Sequence, residues 1–155
     1  MTDAIDRAAG LAPGDALHAL RRLRPEFVDG AELCRVSVLT PASDQGLSPD
    51  LRAALARRMA LQNADPSLAD PYGGADPELR RLAEGETDLP EPLASIAAHV
   101  DLVTQTPAKA AAESLRRLER AGLTNPQIVA LSELIAYVNF QARIAAGLRL
   151  MKEAR

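Results

Sequence analysis

The stretch TNPQIVALSELIAYVNFQARIAAGLRLM, residues 124–151, decides the fold. Thr124 is placed to cap a helix and Pro126 suits its first turn, so one helix can run from here to about Met151. At 1.5 Å per residue that is roughly 40 Å, long enough to be the central element of a small domain. Its apolar residues Ile128, Leu131, Leu134, Ile135, Val138, Ile144 and Leu148 cover more than one stripe. Such a helix packs against neighbours on several sides or against a second subunit, so a homo-oligomer is expected. Glu133, Asn139, Gln141 and Arg143 interrupt the run. Each is costly in hydrocarbon, so the stretch reads as a buried helix and no membrane is expected as a partner.

The rest of the chain agrees with an all-α fold. Its 155 residues suit one core, and they are rich in Ala, Leu and Arg, with two Phe, two Tyr and no Trp. A net charge of −3 gives no footprint for a polyanion, so no nucleic acid is expected. The Arg pairs at 21/22, 57/58, 80/81 and 116/117 read as solvated helix faces. The N-terminus lacks the apolar core of a secretory signal, which predicts a cytoplasmic protein. The preference for Arg, with only Lys109 and Lys152 as lysines, is associated with GC-rich bacterial genomes. Cys34 is the single cysteine, which excludes an intramolecular dithiol cycle and a disulfide scaffold.

Outward from the last helix, Thr106-Pro107 predicts a helix through Arg120 with Ala108, Ala111, Leu115 and Leu118 inward, closed by Gly122. Pro90 to Pro92 opens another, in which Leu93, Ile96, Val100 and Val103 form the buried stripe and His99 lies at its border. Asp76-Pro77-Glu78 starts a short helix to Glu84. Three Asp-Pro pairs and Gly73-Gly74 make residues 65–77 a loop. Ser48-Pro49-Asp50 starts a helix to Asn63. Upstream, one helix is expected from Asp15 to Pro25 and a second over residues 26–38. The expectation is an all-α bundle of about six to seven helices, with an N-terminal extension over residues 1–46 and a core over residues 47–155.

Several segments carry a family resemblance: Thr106-Pro107-Ala108, Ala121-Gly122-Leu123-Thr124 and Leu134-Ile135-Ala136-Tyr137-Val138-Asn139-Phe140. Together they resemble the alkylhydroperoxidase AhpD-like and carboxymuconolactone decarboxylase (CMD-domain) superfamily. The resemblance implies an intertwined all-α oligomer, commonly a trimer or hexamer. In the AhpD branch a Glu, then Cys-x-x-Cys, then a His carry peroxide chemistry, because the paired thiols and the proton relay need that spacing. Matching Leu47-Ser48-Pro49 and Asn63 to the family's run puts Ala53 at the Glu, Asp65 and Leu68 at the cysteines, and Tyr72 at the His. The motif is lost at every position. The resemblance therefore implies the fold without the peroxidase: a ligand-binding protein, or one that assists a cysteine-bearing relative.

The alternative is a non-thiol acid–base enzyme, a decarboxylase, isomerase or hydrolase acting on a small carboxylated metabolite. His99 and Tyr72 are its candidate catalytic groups. Arg143, with Tyr137 nearby, is the candidate anion-binding residue, since a guanidinium grips a carboxylate bidentately. Arg143 is otherwise expected to be an ion-paired residue within the apolar helix. His18 reads as exposed. No spacing of His, Cys or acids reads as a metal site, and no cofactor is expected.

Overall fold

Local signals create most of the helix starts. Ser48 accepts a hydrogen bond from the Leu51 N–H, Asp76 from Leu79 and Asp65 from Leu68. At Thr124 the reciprocal box is complete: its hydroxyl takes the Gln127 N–H, and the Gln127 side chain takes the Thr124 N–H. A computed structural model describes residues 1–154 and contains nine α-helices, with no strand among those residues. They are α1 (Ala4–Ala9), α2 (Ala16–Arg21), α3 (Pro25–Leu39), α4 (Pro49–Gln62), α5 (Pro66–Ala69), α6 (Pro77–Ala83), α7 (Leu93–Gln105), α8 (Ala112–Arg120) and α9 (Asn125–Glu153).

The all-α expectation holds, and the helix count exceeds the six to seven expected. One extra element is α1, made by a capping box in which Asp3 and Asp6 each accept the other's backbone N–H. Another is the single turn α5 inside the loop over residues 65–77. The helix expected from Thr106 is broken. Pro107–Lys109 forms one 3-10 turn, Ala110 is extended, and α8 then folds back along α7. Ala108 and Ala111 are consequently exposed and Leu115 largely so, leaving Leu118 as the inward residue.

α9 is central, touching α1, α3, α4, α7 and α8. By length and composition it could cross a membrane, but its inner face is occupied by the bundle. Leu131, Leu134, Ile135 and Val138 interlock there with Leu55 and Met59 of α4 and Ile96 and Val100 of α7. Burying each such side chain contributes about 1.5–3 kcal/mol before entropy is counted. A second apolar cluster joins Ala8, Leu11 and Leu17 to Leu68, Ala142 and Ala145, so the N-terminal segment packs against α5 and α9.

Two of the four Arg pairs are not solvated faces. Arg58 is 1% exposed and bound to Asp101. Arg21 and Arg22 both bind Asp6, which is fully buried. Burial alone would raise the Asp6 pKa, but hydrogen bonds from Arg22, the Asp3 N–H and Arg21 outweigh it and hold the carboxyl below its ordinary range. His18 belongs to the same knot. It is buried, 3.4 Å from the Met1 carbonyl and 3.8 Å from Asp6, contrary to the exposed position expected. Its burial follows from the α1–α2 ion network, a non-local feature.

Candidate functional site

The break between α7 and α8 creates the cleft of greatest chemical interest. Because Ala110 is extended, α8 returns beside α7 and leaves an open groove of about 360 Å³. That volume lies in the range of small-molecule sites. Ala98, His99 and Leu102 form its α7 wall, while Lys109, Ser114, Arg117 and Arg120 come from the turn and α8. Glu113 is the one carboxylate at the rim. It is engaged by Arg120 at 2.6 Å and Arg116 at 3.4 Å, which hold its carboxyl below the usual range.

Two cations in the groove therefore have no carboxylate of their own. Arg117 donates through Nε to the Ser95 hydroxyl at 3.3 Å, and Ser95 donates onward to Glu91 at 2.9 Å. That chain fixes the guanidinium while its two terminal nitrogens have no hydrogen-bond partner among the described residues. Lys109 forms no ion pair among the described residues. His99 is 7% exposed, and its Nδ1 is enclosed with no hydrogen-bond partner. Desolvation lowers its pKa below the ordinary 6.5, so the imidazole is neutral at neutral pH. A buried polar atom costs about 1–3 kcal/mol unless water or a ligand pairs with it.

The other expected site residues lie elsewhere. Tyr72 and Tyr137 come together near Arg35 and Glu32 of α3. The Tyr72 hydroxyl is 3.5 Å from the Gln141 carbonyl oxygen, and Gln141 Nε2 is buried without a partner. Burial pushes up both phenols, and at Tyr72 it outweighs the hydrogen bond shared with Gln141, so neither is ionised near neutral pH. Arg143 is on the outer face of α9, exposed and without an ion pair among the described residues, not held within the apolar helix. It borders neither the α7–α8 groove nor the tyrosines' hydrogen bonds. His99 and Arg143 are thus not brought into one cleft.

The positions set against the dithiol motif by resemblance hold structural residues. Asp65 is 2% exposed, caps α5 and pairs with Arg149 at 2.7 Å. Leu68 is core, and Ala53 is half-buried on α4. Cys34 is exposed on α3. Among the described residues no group of three or more His, Cys, Asp or Glu side chains is arranged to hold a metal ion. Lys109, Arg117 and Ser114 are the residues sequence reading missed. The i, i+3 spacing of Ser114 and Arg117 was a usable signal, but Lys109 joins them only through the break at Ala110. No protein-family model, curated protein or solved structure matches this chain.

Proposed function

We propose that this chain is an AhpD/CMD-like helical protein without thiol chemistry that binds a small carboxylated or phosphorylated ligand in the α7–α8 groove. The carrying observation is one constellation: Lys109 and Arg117 unpaired with acid, beside a buried His99 whose Nδ1 has no partner. A guanidinium already oriented by Ser95 offers two parallel donors to a carboxylate or phosphate, the geometry that makes charge-assisted bonds strong. The neutral imidazole adds a donor or acceptor, according to its tautomer. The groove's Ala98 and Leu102 supply an apolar wall for the ligand's carbon skeleton.

The test is calorimetric titration of the full chain with succinate, citrate and inorganic phosphate. One site is expected, weakened about tenfold by Arg117→Ala and further by adding Lys109→Ala. Absence of binding, or binding indifferent to both substitutions, would overturn the reading. The pH dependence has a defined sign. In the free protein the His99 pKa lies below 6.5, so the unfolded chain takes up the proton first and stability falls as pH drops below about 6.5. A bound anion raises that pKa. Affinity therefore rises as pH falls through the range where His99 titrates, and His99→Gln removes the dependence.

One feature favours a second reading, an acid–base enzyme on a small carboxylated metabolite. His99 is held in its neutral, proton-accepting form beside the two unpaired cations. Turnover of a bound carboxylate that His99→Gln abolishes while binding persists would establish it.

A further inference from the structure

We infer that the outer face of α9 docks against α9 of a second copy of this chain, antiparallel, about a two-fold axis near Val138. The inference stands on a different surface from the ligand groove and does not depend on it. The outer stripe of α9 is Val129, Glu133, Ala136, Phe140, Ile144 and Gly147, spaced by three or four residues and exposed throughout. A solvent-facing helix stripe is ordinarily polar. This one presents Val129 at 57%, Phe140 at 42% and Ile144 at 39% exposure, with one charge among its six residues. Large apolar residues exposed along one helix stripe are a feature of interaction surfaces. α3, which packs against α9, also carries exposed Phe27, Leu33 and Val36.

Charge and size identify the occupant. An antiparallel pair centred at Val138 sets Glu133 opposite Arg143 of the second copy, Ala136 opposite its Phe140, and Val129 opposite its Gly147. Opposite charges meet, and large residues meet small ones. Two-fold symmetry makes each match occur twice, the self-complementarity an isologous interface requires. Within one chain Glu133 and Arg143 are about 15 Å apart along the helix and cannot pair. Neither has an ion-pair partner among the described residues. Within the chain Glu133 lines a shallow pocket with Arg52, whose guanidinium already donates to the carbonyls of Leu47, Val38 and Asp44.

The test is sedimentation equilibrium of the full chain at low salt, with circular dichroism as a check on folding. A dimer is expected. Glu133→Arg and Arg143→Glu should each weaken it about tenfold, and the double exchange should restore it to within about threefold of the parent. Phe140→Asp with Ile144→Asp should give a folded monomer. A parent monomer, a different oligomer unaffected by these changes, or single losses that add in the double variant would each overturn the proposal.

Discussion

Replacing Arg58 with alanine should lower the unfolding free energy by about 3–5 kcal/mol, read by urea denaturation followed by circular dichroism. Arg58 projects from α4 into a site where it is 1% exposed. Its Nε and Nη2 hold the two Asp101 oxygens of α7 at 2.7 Å each. Its Nη1 donates to the carbonyls of Leu82 at 2.8 Å and Glu86 at 2.9 Å, which lie at and beyond the end of α6. One side chain thus joins three elements, supplies a donor to the Glu86 carbonyl, and adds a second donor to the Leu82 carbonyl, which also accepts the Gly85 N–H. Alanine removes the fork, opens a cavity and takes the side-chain donor from the Glu86 carbonyl. Asp101, whose side chain is 25% exposed, regains water more easily. Asp101→Ala should also be costly, because it leaves a buried guanidinium without its carboxylate, whereas Arg58→Lys retains charge and should lose less. A loss below about 1 kcal/mol for Arg58→Ala would show that water replaces the fork at little cost.

Arg58 also marks the limit of what the sequence discloses. α9 and α4 were legible because Thr124-Asn125-Pro126 and Ser48-Pro49-Asp50 are local start signals, and both caps form as their spacing requires. A basic pair such as Arg57-Arg58 has no local mark separating a surface residue from a buried one. Its partner Asp101 lies 43 residues away, and burial becomes tolerable only when α4 and α7 meet. α1 escaped notice for the same reason. Six residues make a marginal helix alone, and what holds Ala4–Ala9 is the distant pairing of Asp3 and Asp6 with Arg21 and Arg22. In the groove, His99 was legible as a near-neutral group on a stripe border. Its cationic neighbours were not, because Ala-rich residues 108–112 favour continuous helix by propensity while the chain breaks there to return α8 to α7. Arg143 was expected to be held within an apolar helix, but the polar intrusions in α9 divide between its faces. Gln141 and Asn139 point inward, and Arg143 points out.

Asp65→Ala should cost about 2–3 kcal/mol, and it tests how far one buried carboxylate holds α5 and α9 together. Loss of the α5 cap accounts for about 1 kcal/mol. The bond to Arg149 at 2.7 Å supplies the rest, discounted because the Arg149 side chain is 33% exposed. Arg149 also donates to the Ala8 carbonyl at 2.8 Å, so amide exchange in α1 should quicken along with the global loss. Asp65→Asn keeps an acceptor for the Leu68 N–H and should lose about half as much. A loss equal to that of alanine would assign the effect to charge, and no loss from either would remove Asp65 from the structure's supports. The variant Asp65→Cys with Leu68→Cys restores the spacing of the dithiol the chain resembles. It should be less stable still, because Leu68 is 2% exposed and a smaller residue leaves a void. Peroxide consumption should remain absent in that variant. Two thiols need a carboxylate and an imidazole to move the proton, and those positions hold Ala53 and a Tyr72 phenol that burial keeps protonated. Turnover in the double-cysteine protein would mean that the helix start alone activates a thiol here. Its absence would show that paired thiols at this helix start do not suffice for peroxide chemistry, at a position where Asp65 and Arg149 serve the fold.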